Sequence, residues 1–135
     1  MPFVLDCSMT MAWVFWDEGS ERTAALLESL LQDYAVVPSL WPIEVANVFL
    51  SATRRGRIRE TEWPRLIGHL SSLPIHIDPQ NTEHTLTACL PLAKTHHLSV
   101  YDAVYLDLAL RKHLPLATLD NTLEAACRVT GVPIL

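Results

Sequence analysis

Four acidic side chains lie where apolar runs meet helical patterns, and carboxylates brought together at such places can bind a divalent cation. They are Asp6, Glu44, Asp102 and Asp120. No Lys or Arg is adjacent to any of them in sequence, so the compensating charge is expected to be a cation from outside the chain. Carboxylate oxygens without a set of His or Cys ligands suit Mg²⁺ or Mn²⁺.

Helix capping is the alternative role for the same acids. Asp6 and Asp120 each precede a predicted helix and can cap it. Ser99 and Asp102 have the S-x-x-D spacing of a capping box. Glu44 lies in the first turn of a predicted helix, where the helix dipole favours a negative charge. Capping and metal binding are compatible, so both roles stay open for each acid.

Two of the acids share a helix face with apolar residues. At helical spacing Asp102 lies on the side of Tyr105 and Ala109, and Glu44 lies on the side of Val48. A cap alone can point outward to water, whereas an acid that faces the interior needs a partner. The pattern therefore favours metal binding over capping alone.

Short apolar runs alternate with longer helical patterns, which is typical of a parallel sheet covered by helices. Strands are predicted at 3–6, 35–38, 75–77, 116–119 and 133–135, and helices at 9–17, 20–33, 42–54, 60–72, 81–96, 100–112 and 121–130. In such a sheet the carboxyl ends of strands and the helix starts that follow gather at one edge, where ligands bind. This rule brings Asp6, Glu44 and Asp120 together, and it does not cover Asp102, which follows a helix.

Length and composition predict one cytoplasmic domain over residues 1–135. The chain has 15 acidic and 10 basic side chains, a net charge of −5, and three widely separated cysteines that suggest neither a disulfide framework nor a zinc site. The apolar N-terminus lacks the basic start of a signal peptide, and no apolar run reaches membrane-spanning length. Asp107 is predicted to be a surface residue.

Two further groups of residues have both a functional and a structural interpretation. One is a basic zone within residues 54–65, a surface for phosphates or an acidic partner, or else a solvated helix end. It consists of Arg54, Arg55, Arg57, Arg59 and Arg65. The other is an aromatic set near the chain's start, which either belongs to the core or forms a partner-binding groove. It consists of Trp13, Phe15, Trp16 and Trp41.

Four segments together resemble the acidic motifs of the PIN domain, and their order and spacing are closest to the VapC-type toxins of toxin–antitoxin pairs. They are "FVLDCS" with Asp6 and Ser8, "PIEVANVF" with Glu44, "SVYDAVYLDLA" with Asp102, and "LATLDNTL" with Thr118 and Asp120. The resemblance covers the whole chain.

The resemblance implies a three-layer α/β/α fold with a central, mostly parallel sheet of about five short strands, and a metal-dependent endoribonuclease. The four acids would hold Mg²⁺ or Mn²⁺, and Ser8 and Thr118 would support them. The implied partners are RNA, an inhibitory antitoxin, and a second copy of the chain or a hetero-oligomer with the antitoxin. Trp13, Trp16 and Trp41 are the candidates for the antitoxin groove, and the basic zone is the candidate for holding the RNA backbone.

Two other functions remain open from the sequence. An inactive PIN-fold module would bind a partner through its aromatic groove, with the acids only capping helices. A metal-dependent phosphatase or phospho-receiver also uses carboxylates at strand ends. A receiver would need a close acidic pair in its first motif and a well-placed Lys, whereas this chain offers Asp6 and a distant Lys94.

Overall fold

Four of the predicted apolar runs form a parallel sheet in the part of the chain that the computed structural model describes, residues 1–79 and 81–135. The strands are β1 (Phe3–Leu5), β2 (Ala35–Pro38), β3 (Ile75–Asp78) and β4 (Leu116–Ala117), in the order β3-β2-β1-β4. The two central strands are buried along their whole length, which explains why they are continuous apolar runs rather than alternating patterns.

The fifth predicted strand, at 133–135, is wrong, so the sheet has four strands and not five. Ile134 forms only an isolated bridge with Leu116. Leu116 donates to the Pro133 carbonyl at 2.9 Å, and the Leu135 N–H donates to Leu116 at 3.1 Å. The pairing stops there because β4 itself has only two residues and the ring nitrogen of Pro133 has no hydrogen to donate.

Helices cover the sheet to give a three-layer α/β/α fold. They are α1 (Cys7–Val14), α2 (Glu21–Ser29), α3 (Trp41–Arg54), α4 (Trp63–Ser71), α5 (Thr82–His84), α6 (Leu90–His96), α7 (Val100–Lys112) and α8 (Asn121–Thr130). Short 3₁₀ turns occupy Trp16–Glu18 and Glu60–Glu62, and a π turn at Thr85–Cys89 joins α5 to α6. None of the helices that the structure describes is long and apolar enough to cross a membrane.

Helix α7 lies at the centre of the fold and packs across β1 and β2. Every residue from Ala103 to Ala109 is buried, so this helix is enclosed on all sides. Burial of its large side chains, such as Leu106 and Leu108, contributes about 2 kcal/mol each. The N-terminus of α7 is thereby fixed beside the carboxyl ends of the central strands.

Candidate metal centre at the carboxyl edge of the sheet

Asp6 is held at the end of β1 by the strand register. Leu5 is paired with Ala117 of β4, so Asp6 lies beside Thr118, whose hydroxyl donates to Asp6 Oδ2. The Ser8 hydroxyl lies 2.8 Å from Oδ1 and 2.9 Å from Oδ2. The N–H of Met9 donates to Oδ1 at 2.9 Å, which makes Asp6 the N-cap of α1. Asp6 therefore caps α1 and also lies at the carboxyl edge of the sheet.

The pKa of Asp6 is raised above its ordinary value although three donors reach it. Only 3% of its surface is exposed, and this burial is the largest effect. The hydrogen bonds from Thr118, Met9 and Ser8 oppose it, and the negative charge of Asp120 adds to it. The Asp6 carboxylate is therefore oriented by hydrogen bonds, but no positive charge among the described residues stabilises its ionised form.

Ser8 and Thr118 also tie the two loops at this edge together. The N–H of Leu119 donates to Ser8 Oγ at 2.9 Å, and the N–H of Asp120 donates to Thr118 Oγ1 at 3.0 Å. The two hydroxyl oxygens lie 3.3 Å apart. These side chains therefore link the loop of Asp6 to the loop of Asp120.

Asp120 is the N-cap of α8. Its Oδ1 accepts a hydrogen bond from the N–H of Leu123 at 2.8 Å. Within residues 1–79 and 81–135, its Oδ2 accepts none. The cap therefore uses one oxygen and leaves the other for a ligand.

Glu44 lies in the first turn of α3 and is held by a residue of α7. The hydroxyl of Tyr105 donates to Glu44 Oε1 at 2.6 Å. The pKa of Glu44 is raised, first by burial and then by the charge of Asp102, while the Tyr105 hydrogen bond lowers it. Burial and the adjacent Glu44 raise the pKa of Tyr105, so this phenol remains a donor. The sequence predicted that Tyr105 shares a helix face with Asp102, but it did not predict the hydrogen bond from Tyr105 to Glu44.

Asp102 is the acid that links the others. It lies in the first turn of α7, where its N–H donates to the N-cap Ser99 at 3.1 Å. Its pKa is raised to about 6 by burial and then by the charges of Asp120 and Asp6. Asp102 also raises the pKa of Glu44. Asp6, Asp102 and Asp120 therefore lie within electrostatic reach of one another, and Glu44 lies within reach of Asp102. Like charges account for part of the raised pKa of Asp102.

Among the residues that the structure describes, this group of acids has no positively charged partner. In the described ranges, none of the four forms an ion pair. Nor do any three of them bring oxygens within 4.8 Å of one another, since the one trio of this kind among the described residues lies elsewhere. Mg²⁺ retains several waters and takes one or two carboxylates directly, so this open donor set fits it.

Cys7 is a neighbour of the acids that the sequence did not single out. Burial and then the charges of Glu44 and Asp6 raise the pKa of its thiol to about 12. At neutral pH the thiol is protonated, and the charges of Glu44 and Asp6 oppose its ionisation. The negatively charged groups at this edge are therefore the carboxylates.

An apolar groove of about 580 Å³ lies between α3, α4 and β3, on the side of α3 that carries Trp41. Its wall includes Trp41, Phe49, Trp63, Ile67, Leu70 and Ile77. Of the three tryptophans assigned to a groove from the sequence, only Trp41 lies here. Trp13 instead donates to the Thr23 carbonyl at 2.8 Å, and Trp16 is 91% exposed on a 3₁₀ turn.

The basic zone lies away from the acids and is partly neutralised. Arg57 pairs with Asp17 at 2.7 Å and Glu18 at 3.0 Å, and its guanidinium lies 3.8 Å from the centre of the Phe15 ring. Arg54 is at the far end of α3 from Glu44, about 15 Å along the helix axis. RNA bound at the acids would have to span this distance to reach the zone.

The surface assignment of Asp107 is wrong. Its exposed fraction is 7%, and it accepts hydrogen bonds from Arg111 and contacts His84. The helical segment from α5 to α6 packs on that side of α7 and covers it. Helical spacing showed that Asp107 and Asp102 lie on different sides, but it could not show that both sides are covered.

Comparisons with known proteins agree with this architecture. Ribonuclease VapC3 of Pyrobaculum aerophilum is 29% identical over 123 residues, which cover 91% of this chain and 92% of that protein. The crystal structure of PAE2754 from Pyrobaculum aerophilum superposes with a TM-score of 0.73 at 20% identity, over 99% of this chain and 92% of the other. FitAcB from Neisseria gonorrhoeae gives a TM-score of 0.54 at 20% identity, over 100% of this chain and 96% of the other.

The two structural likenesses show the shared fold. The sequence profile of the PIN domain matches residues 3–129, a span that contains all four acids and both supporting hydroxyls. This chain belongs to the PIN domain family.

Proposed function

We propose that this protein is a Mg²⁺- or Mn²⁺-dependent endoribonuclease and the toxin of a VapC-type toxin–antitoxin pair. The observation that supports it most is a set of four carboxylates that form no ion pair among the described residues. The charges of Asp120 and Asp6 raise the pKa of Asp102, and the charge of Asp102 raises the pKa of Glu44. Such a group is costly unless a cation is bound. The similarity to a protein named as a VapC ribonuclease supports RNA as the substrate class.

In this proposal Asp6, Glu44, Asp102 and Asp120 hold the metal, directly or through its bound waters. When bound, the divalent ion would supply a reactive water and offset the charge of the scissile phosphodiester. The chain's own residues keep the ligands in place. Ser8 and Thr118 donate to Asp6, Tyr105 donates to Glu44, and the capping bond of Asp120 fixes its carboxylate at the start of α8.

The apolar groove is the proposed seat of the antitoxin. Trp41 and Val45 flank Glu44 in sequence and line the groove, so a peptide bound there would end close to the acids. An arginine of that peptide could pair with the carboxylates in place of the metal. Assembly with the antitoxin, or of two copies of the chain, belongs to the same proposal.

The test is cleavage of total RNA and of a short fluorescent single-stranded RNA by the purified protein. We expect cleavage with Mg²⁺ or Mn²⁺, none with EDTA, and none by Asp6→Asn. Glu28→Gln removes an exposed carboxylate from α2 and is the matched control, which retains the activity. Circular dichroism of each variant shows whether it is folded.

Two outcomes would contradict the proposal. Cleavage that persists in Asp6→Asn would mean that the activity comes from elsewhere. A folded wild-type protein that binds Mn²⁺ and cuts none of the RNA would instead favour a partner-binding module.

A further inference from the structure

A π turn remodels the helical segment that packs on α7. In the turn Thr85–Cys89 the N–H of Leu90 donates to the carbonyl of Thr85, five residues back. Pro91 accounts for this opening, because it has no N–H for the carbonyl of Thr87 and its ring crowds that carbonyl. Turns of this kind are rare and occur often at functional sites.

The π turn brings His84 and Cys89 onto one face. In an α-helix, side chains five residues apart point about 140° away from each other, whereas an i→i+5 turn places them nearly above one another. Here both side chains reach Asp107 on α7. His84 Nε2 lies 3.0 Å from Asp107 Oδ1 and 2.9 Å from Oδ2, and the Cys89 thiol forms a hydrogen bond with the same carboxylate.

Asp107 is held in place from its other side. Arg111, one helical turn further along α7, donates from Nε to Asp107 Oδ2 at 2.8 Å. The same guanidinium donates to Asp78 at the end of β3 at 3.0 Å. A carboxylate whose second oxygen is hydrogen-bonded in this way is oriented as metal-binding carboxylates usually are.

We propose that His84, Cys89 and Asp107 form a second metal site, distinct from the four carboxylates, that binds Zn²⁺ or a similar transition-metal ion. The three ligand atoms lie within 4.8 Å of one another, which the four acids do not achieve in any trio among the described residues. One nitrogen, one sulfur and one oxygen suit Zn²⁺ or Co²⁺ and not Mg²⁺. Arg111 stays on Asp107 Oδ2 and leaves Oδ1 for the metal.

A route for the ion is present on the side of His84. Cys89 is fully buried, whereas the side chain of His84 is 36% exposed and lines a cavity of about 410 Å³ together with Thr87 and Arg111. The fourth position would face this cavity and take a water or an external ligand. Binding releases the thiol proton to solvent and replaces the contact between His84 and Asp107 with two metal bonds.

The site would join α5 and the π turn to α7, the helix that carries Asp102 in its first turn. The same contacts without metal form a hydrogen-bonded ion-pair network that serves packing alone. That network is the alternative against which the proposal is tested. Only a bound metal ion would convert the Cys89 thiol to a thiolate, so a signal from the thiolate distinguishes the two.

The experiment is a Co²⁺ titration of metal-free protein followed by absorbance. We expect one equivalent of Co²⁺ to give a thiolate charge-transfer band in the near ultraviolet, which Zn²⁺ then removes by competition. Cys89→Ser loses the band, and His84→Asn, at a partly exposed position, binds at least about tenfold more weakly. Cys127→Ser changes another buried cysteine and keeps the band.

Absence of the band in folded wild-type protein would overturn the site, as would a band that survives in Cys89→Ser or an unchanged Co²⁺ affinity in His84→Asn. If Cys89→Ser does not fold, His84→Asn decides alone. Asp102→Asn should keep the band, so this result is independent of whether the four carboxylates support RNA cleavage.

Discussion

At the scale of single residues, capping and the candidate metal chemistry use the same carboxylates. Asp6 and Asp120 each accept a helix N–H with Oδ1 and still face the same edge of the sheet. The sequence predicted both roles because acids at helix starts serve either. It could not predict the Tyr105 contact with Glu44, since that contact depends on how α3 packs against α7.

The raised pKa of Asp102 predicts a stability change that depends on pH. The folded-state pKa is about 6 and the ordinary value is 3.8, so ionisation of Asp102 destabilises the folded protein. The penalty is fully present above the folded pKa and fades as the pH falls toward the ordinary value. Without metal, Asp102→Asn should therefore raise the free energy of unfolding by about 2 kcal/mol above the folded pKa and by little near the ordinary value.

Urea unfolding in EDTA measures the free energy of unfolding of the wild type and of Asp102→Asn. It is done once at a pH above the folded-state pKa of Asp102 and once near the ordinary pKa of an aspartate. Glu28→Gln, which neutralises an exposed acid, should show no comparable gain. A less stable Asp102→Asn at both pH values would show that the carboxylate is satisfied within the chain.

At the scale of elements, local sequence predicted α7 and α8 with their observed bounds. Ser99 and Asp120 cap these helices, and His113 and Gly131, with φ of 54° and 80°, end them in left-handed conformation. The segment at 81–96 was predicted as one helix, whereas the structure has α5, the π turn and α6. The turn depends on Pro91 and on the contacts with α7, and a periodicity argument detects neither.

The N-cap of α7, Ser99, accepts a hydrogen bond from the backbone of Asp102 and so links the stability of this helix to the acidic site. Ser99→Ala removes the acceptor for the N–H of Asp102 and should lower the free energy of unfolding by about 1 kcal/mol. Ser20→Ala removes the cap of α2 and should cost a similar amount. Only Ser99→Ala should also weaken Mn²⁺ binding, because the first turn of α7 carries Asp102. Equal Mn²⁺ affinity in both variants would separate this cap from the site.

At the scale of the whole molecule, the acids and the basic zone lie at opposite ends of α3. Strands β1, β2 and β4 end at the acidic edge, and α3 carries the chain back to the opposite end, where Arg54 and Arg55 are exposed. The sequence predicted both groups but not the distance between them. That distance follows from the length and direction of α3.

The basic zone makes a prediction about RNA binding. If Arg54 and Arg55 bind phosphates, replacing both with Gln should reduce the slope of log affinity against log salt by about 0.7 for each phosphate that is no longer neutralised. The measurement is single-stranded RNA binding in EDTA over a range of salt concentrations. Arg57→Gln is the control, because Arg57 already pairs with Asp17 and Glu18. An unchanged slope in the double variant would leave the zone as a solvated helix end.

Direct titration of Mn²⁺ into metal-free protein tests whether the four carboxylates form one metal site. The wild type should bind Mn²⁺. Four variants should each bind it at least about tenfold more weakly: Asp6→Asn, Glu44→Gln, Asp102→Asn and Asp120→Asn. Glu28→Gln should match the wild type. Unchanged Mn²⁺ affinity in all four variants, with the fold intact, would show that the four carboxylates do not form one metal site.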